Sequence, residues 1–197
     1  MSNPARRITR EGYACSTVLA MTAKRSTADS AVLVPVYRDT TGALRVVLIV
    51  RTEHGRHGGQ VALPGGMRSA TDRDLVATAL REAEEEVGLP PDAVEILATL
   101  PQVDTSTGYL ITPFLAHVIA PPSEWRRQER EIAEVLVVPV DDLVRPDLRD
   151  EEWWQLPGWS IRRRIPFIWI GAHKLWGATY RIVEPLVPRL LAGEWPI

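Results

Sequence analysis

Three glutamates carry the first chemical signal in the chain. Within Arg81-Glu82-Ala83-Glu84-Glu85-Glu86-Val87-Gly88-Leu89, Glu82, Glu85 and Glu86 stand at i, i+3 and i+4, which is one face of a helix. Like charges at that spacing repel, and no Lys or Arg follows Glu86 one turn later to offset them. A hard divalent cation such as Mg²⁺, which prefers carboxylate oxygens, would turn that repulsion into binding. The competing expectation is an ordinary solvated acidic face. Glu84 points the other way and reads as surface. Val76, Leu80, Ala83 and Val87 form an adjacent apolar stripe, which predicts that the helix packs on a core.

The residues ahead of this helix favour the chemical reading. Val61 and Leu63 alternate with smaller neighbours as in a short strand, and Pro64-Gly65-Gly66 predicts a turn. Two glycines let the backbone reach positive φ and approach a ligand closely. Thr71 or Asp72 is the expected helix cap, with Asp74 three residues after Thr71 as in a capping box. Gly88 is a natural residue to end the helix, and Pro90-Pro91 stops further winding. Strand, glycine loop and acid-bearing helix together form a cradle for a metal-bound phosphate.

These residues resemble the signature of the Nudix hydrolases: Gly, five residues, Glu, seven residues, then R-E-U-x-E-E-x-G-U, where U is bulky and aliphatic. The second half matches at Arg81 to Leu89, with Ala83 a small occupant of the first U position. In the first half the family glutamate falls on Arg73 and the glycine on Met67. Gly66, five residues and Asp72 restore the pattern with a one-residue insertion and a shorter acid. That variant is similar to the coenzyme A diphosphatase group of the family. The run from Val47 to Gly66 resembles the group's second signature, an apolar strand ending in Arg-Ser/Thr, a second Arg, then Gly-x-Val-x-Phe-Pro-Gly-Gly. Here Arg51-Thr52 and Arg56 take the arginine positions, the gap from Arg56 to Gly59 is one residue short, and Leu63 replaces Phe.

Length and composition set the outer bounds. A chain of 197 residues with 45% hydrophobic and 24% charged residues suits one globular domain with an extension. A net charge of −2 argues against nucleic-acid binding by charge alone. The single Cys15 permits no internal disulfide and no thiolate zinc site, so the expected compartment is the cytoplasm. No apolar run reaches membrane-spanning length, and residues 1–30 read as a leader segment that packs on the domain or contributes to a homodimer.

Strands are expected at Ala31–Tyr37 and Leu44–Val50, joined by a turn at Asp39-Thr40-Thr41-Gly42. Their Val, Leu and Ile content predicts two covered faces. Further strands are expected at Val94–Leu100, at Tyr109–Ile119 with an edge or bulge near Pro113, and at Ile132–Val140 as the last one. Residues 121–131 read as a charged loop with a short helix. Beyond Arg145 the composition turns rich in Trp and Pro, with a strand-like run at Ile165–Leu175 and a terminal helix to about Leu191. Crowded tryptophans there predict core or dimer interface, and Arg162-Arg163-Arg164 a solvated face. The domain plan is therefore a leader at 1–30, a core at 31–145 and an extension at 146–197 packed on the same domain.

The resemblance implies an α/β fold, the α/β/α sandwich of Nudix proteins with a mixed sheet, and hydrolysis of a small nucleoside-diphosphate-linked substrate. It implies Mg²⁺, with Mn²⁺ as a substitute, held by Glu82, Glu85, Glu86 and the Gly66 or Gly65 carbonyl. Arg81 would orient the acids. Glu131, just before the strand at Ile132, would reach the metal site, with Glu129 and Glu134 as alternatives in register. Glu131 or Glu82 would take the proton of the attacking water. Arg51 and Arg56, with Gly65, Gly66 and a stacking Tyr109, would bind substrate; a metal role for His54 or His57 is not expected. For coenzyme A the products would be 3′,5′-ADP and 4′-phosphopantetheine. The rival readings are a pyrophosphatase acting on ADP-ribose or another nucleotide conjugate, and a nucleotide-binding regulator that does not hydrolyse.

Overall fold

The computed structural model describes residues 29–53, 58–105, 108–156 and 158–197. Strand β1 (Asp29–Arg38) is its axis. Ala31, Leu33 and Tyr37 point to one face and Val34 and Val36 to the other, and all five are buried. That two-sided burial is why the strand reads as an unbroken apolar run rather than an alternating one.

β1 runs parallel to β7 (Leu110–Val118) and antiparallel to β2 (Leu44–Arg51). The path continues to β3 (Val61–Ala62) beyond β2 and to β5 (Val94–Thr99) beyond β7. β4 (Gly65–Met67), β6 (Val103–Asp104) and β8 (Ile132–Pro139) pair with β1, β7 and β2 respectively. Helix α1 (Leu75–Val87) covers one face through buried Ala79, Ala83 and Val87. Helix α2 (Gly177–Leu191) covers the other through Ile182, Val183, Leu186, Val187 and Leu190. Burial of such a row, at about 1.5–3 kcal/mol per large side chain, offsets the hydrogen-bond donors lost at Pro185 and Pro188 inside α2. The layers are α/β/α, and the sheet is mixed.

Several expectations give way to tertiary pairing. Pro64-Gly65-Gly66 is not simply a turn: Gly65–Met67 is a strand against Ser30, Ala31 and Val32. β7 passes through Pro113 without interruption and is no edge, because β1 flanks it on one side and β5 on the other; the irregularity lies in β5, between Ile96 and Ala98. Residues 121–131 contain no helix; they are turns fastened to the end of α1 by Arg126 N–H to Val87 O and Gln128 N–H to Glu86 O. β8 is not the last strand. A second, three-stranded sheet follows, β9 (Arg149–Trp154), β10 (Arg163–Ile170) and β11 (His173–Leu175). Its inner residues Ile168, Ile170 and Leu175 join the core beneath α2.

On the outer face of that sheet Trp154, Phe167 and Trp169 surround the Lys174 ammonium, 4.6 to 5.7 Å from the ring centres. Trp153, by contrast, is 58% exposed. Arg162, Arg163 and Arg164 are exposed as expected, with Arg163 stacked over Trp159 and Arg164 paired with Glu151. No helix among the described residues is long and apolar enough to cross a membrane.

Candidate active site

The site lies where β1 and β2 part company. β2 pairs with β1 only over Leu44–Val46, and beyond that β3 takes over the pairing at Ile49 and Val50. β4 enters alongside β1, and the chain between crosses at Pro64, whose carbonyl accepts from Leu33 N–H at 2.8 Å. Gly65 is there because β4 approaches the β1 backbone too closely for a Cβ. One on Gly65 would lie 2.3 Å from the Ala31 carbonyl oxygen, and one on Gly66 would lie 2.5 Å from the Glu82 carboxyl carbon. β4 is thereby laid against the acidic face of α1.

Local capping starts α1 later than the sequence suggests. Asp74, not Thr71 or Asp72, is the cap; its Oδ1 accepts from Ala77 N–H at 2.8 Å. Asp72 is engaged elsewhere. Its buried carboxylate accepts from Ser69 N–H (2.8 Å) and the Thr78 hydroxyl (2.9 Å), and takes the Arg81 guanidinium in two contacts of 3.0 and 3.1 Å. The Arg81 bonds, with help from Ser69 and Thr78, hold Asp72 well below the usual carboxylate range, and Asp72 in turn holds Arg81 above its own. Gly88, in the left-handed region at φ 69°, closes the helix as expected.

Arg81 also reaches Glu82 at 2.8 Å and Glu85 at 3.3 Å. The three helix acids share a face but not an environment. The Glu85 side chain is 52% exposed, that of Glu82 16%, and that of Glu86 3%. Glu86 accepts from Gly65 N–H at 2.9 Å, so β4 supplies a backbone donor to the most buried acid. Burial nevertheless pushes its carboxyl up to about 7, with the charges of Glu82 and Glu131 adding to the rise and the Gly65 bond and Arg51 opposing it. Burial also raises Glu82, against the pull of Arg81.

Glu131 and Arg51 arrive from the neighbouring strands. Thr52 N–H donates to the Glu131 carbonyl at 2.8 Å. The pairing of β2 with β8 then skips Ala133, a bulge that lets Ile132 enter the core beside α1. The Arg51 guanidinium lies 3.7 Å from Glu86 and 4.0 Å from Glu131. Of the alternatives, Glu134 lies on the opposite face of the sheet, bonded to His173 at 3.2 Å. Tyr109 is half-buried, and its backbone is tied to Thr105 rather than to the acid cluster. Arg56, His54 and His57 lie outside the described residues.

Two contributors to the site carry little local signal. Asp72 is legible in the sequence as a cap candidate and through the shifted motif, and nothing local announces that it is buried under Arg81. Gln128, whose backbone bonds to Glu86 and Glu131 hold the loop before β8 in place, gave no signal at all.

As donors the carboxylates and the glycine carbonyls suit a hard cation, offering oxygen only. As the side chains lie, no three acids, histidines or cysteines among the described residues converge on one point. Arg81 draws Glu82 and Glu85, and Gly65 draws Glu86.

The architecture is a mixed sheet between two helices, with a glycine strand laid against an acid-bearing helix. A family model for the NUDIX domain matches residues 27–158. The "Uncharacterized Nudix hydrolase NudL" of Enterobacter sp. (strain 638) is 38% identical over 158 residues, 80% of each chain. The Nudix hydrolase RenU of M. smegmatis superposes at a TM-score of 0.50 with 29% identity, over 58% of this chain and 71% of that one. A MutT/nudix family protein from Enterococcus faecalis covers 85% of this chain and 62% of its own at 0.56, and at 17% identity shows the fold alone. The chain belongs to the Nudix family and is a Nudix hydrolase, an enzyme of the pyrophosphatase type.

Proposed function

We propose that the chain hydrolyses the diphosphate bond of coenzyme A or an acyl-coenzyme A in the cytoplasm, releasing 3′,5′-ADP and 4′-phosphopantetheine or its acyl form. The observation that carries this is the shifted motif. The acid that partners Arg81 is Asp72, separated from Gly66 by five residues in a variant similar to the coenzyme A diphosphatase group, and Arg51 of the stretch that resembles that group's second motif stands beside Glu86 and Glu131.

Nudix enzymes generally use divalent metal ions. Here Glu82, Glu85 and Glu86, with the Gly66 carbonyl and Glu131, would hold Mg²⁺ or Mn²⁺, which when bound neutralises diphosphate charge and makes water more acidic. Arg81, fastened to Asp72, positions Glu82 and Glu85 without touching substrate. The Gly65 N–H keeps Glu86 in place against its own burial. Glu131 and Glu82 are the two candidates to take the proton from the attacking water as its oxygen bonds to phosphorus and the bridging P–O bond breaks. Arg51 and Arg56 bind phosphates of the substrate, the 3′-phosphate included, and Tyr109 stacks on the base.

A phosphomonoester-release assay over coenzyme A, ADP-ribose and diadenosine polyphosphates, with and without Mg²⁺, tests the reading. Turnover is expected to be fastest with coenzyme A and to vanish with EDTA. Faster hydrolysis of ADP-ribose would move the assignment to that conjugate, and binding without turnover would make the protein a nucleotide sensor. In the same assay Glu85→Gln is expected to lower kcat by about 10³-fold, with an unchanged circular dichroism spectrum.

A further inference from the structure

Two arginines meet the acid cluster, and they are held in different ways. Arg81 is fixed by hydrogen-bond geometry to Asp72 on one side, with Glu82, Glu85 and the Met67 carbonyl around it. Arg51 sits 3.7 Å from Glu86 and 4.0 Å from Glu131. Those distances exceed hydrogen-bond range, so charge rather than direction holds the guanidinium there. Its backbone is immobilised: Arg51 N–H donates to Gln60 O at 3.1 Å, and its carbonyl accepts from Gly59 N–H at 3.0 Å. Only the side chain is free to swing, and it is about one-third exposed.

We propose that Arg51 is an exchangeable counter-charge, competing with the divalent cation for Glu86 and Glu131 and passing to a phosphate of the substrate when the cation takes those acids. The inference rests on the reading above, in which these carboxylates hold a metal. Glu86 is buried, crowded by Glu82 and Glu131, and offset by one backbone N–H and by Arg51. A cation approaching its oxygens must displace part of the arginine's attraction. The displaced guanidinium is a bidentate phosphate partner already at the mouth of the site. Metal and substrate then favour each other's binding through one side chain, and the coupling is reciprocal.

The experiment is a Mn²⁺ titration of the full chain without substrate at pH 7.5 and low salt, followed by the electron paramagnetic resonance of free Mn²⁺ and by melting temperature. Wild type, Arg51→Gln, Arg51→Lys and Glu86→Gln are compared. Arg51→Gln is expected to bind Mn²⁺ about tenfold more tightly than wild type, and to gain more in melting temperature on Mn²⁺ addition. Arg51→Lys, whose ammonium is too short to span both acids, is expected to fall between the two. It decides the matter if the Gln variant does not fold. Equal or weaker Mn²⁺ binding in both arginine variants, with wild type binding normally and Glu86→Gln impaired, overturns the exchange while leaving the metal site intact. Failure of wild type to bind Mn²⁺, or undiminished binding by Glu86→Gln, overturns the metal reading and this inference with it. With coenzyme A as substrate, Arg51→Gln is further expected to raise KM about tenfold with a smaller change in kcat.

Discussion

The molecule handles charge near its core in two opposite ways. On the outer face of the β9–β11 sheet, the Lys174 ammonium is 2.7 Å from Glu152 and ringed by Phe167, Trp169 and Trp154. Glu152 takes a second bond from the Trp154 indole at 2.9 Å, and those partners hold its carboxyl below the usual range. Each charge there has its complement. Between β4 and α1 the balance is reversed. Glu86 is almost fully buried, its neighbours Glu82 and Glu131 share its sign, and its carboxyl is pushed up to about 7. A fold that compensates one cluster so fully leaves the other short of positive charge. Undercompensated acids of this kind mark functional sites, because a ligand supplies what the chain withholds.

Stability against pH is the most demanding way to break this contrast. The folded carboxyl of Glu86 titrates near 7, above its ordinary 4.5. Between those values the folded protein keeps a proton that the unfolded chain has released. Stability of the metal-free protein therefore falls as pH rises from about 4.5 to 7, by an amount on the order of 3 kcal/mol. Urea melts across that range measure it, and Glu86→Gln or added Mn²⁺ is expected to flatten the slope. Asp72 works with the opposite sign: its lowered carboxyl contributes stability above its ordinary 3.8 and loses it as pH falls further, outside that window. A flat wild-type profile would remove the distinction between the two clusters.

Asp72→Asn sharpens the same comparison by loosening Arg81. The expected loss is roughly 10- to 100-fold in kcat, the scale seen when a group that orients metal-holding residues is removed, with KM nearly unchanged. Glu152→Gln, in the compensated cluster, is expected to leave both constants as they are; steady-state kinetics on the two variants side by side decide it. The smallest effect belongs to Lys174→Met. Removing the ammonium from its aromatic surround should lower stability by about 1 kcal/mol, read from urea melts, without altering turnover.

Much of the site was open to sequence reasoning because its signals are local. A helix bearing acids at i, i+3 and i+4, ended by Gly88 and backed by Ala83 and Val87, follows from a period of 3.6 residues and the chemistry of one glycine. The buried strands β1 and β2 follow from continuous Val, Leu and Ile. What failed locally failed for want of a distant partner. Gly65-Gly66 looked like a turn until β1 was beside it. The acid-rich Arg149–Trp154 gave little strand signal and becomes β9 only against Arg163–Ile168. Residues 121–131 carry helix-forming charges, yet the end of α1 accepts the backbone N–H groups of Arg126 and Gln128.

The order and types of residues alone determined that three carboxylates would share one helical face beside a glycine-rich approach. Only the tertiary structure decided that they would differ, with Glu86 buried, Glu82 mostly shielded and Glu85 about half open to water. It also decided that Arg51 and Glu131, distant in the chain, would meet there. Desolvation and ion pairing depend on what packs around a group in space, and helical spacing specifies direction without specifying cover.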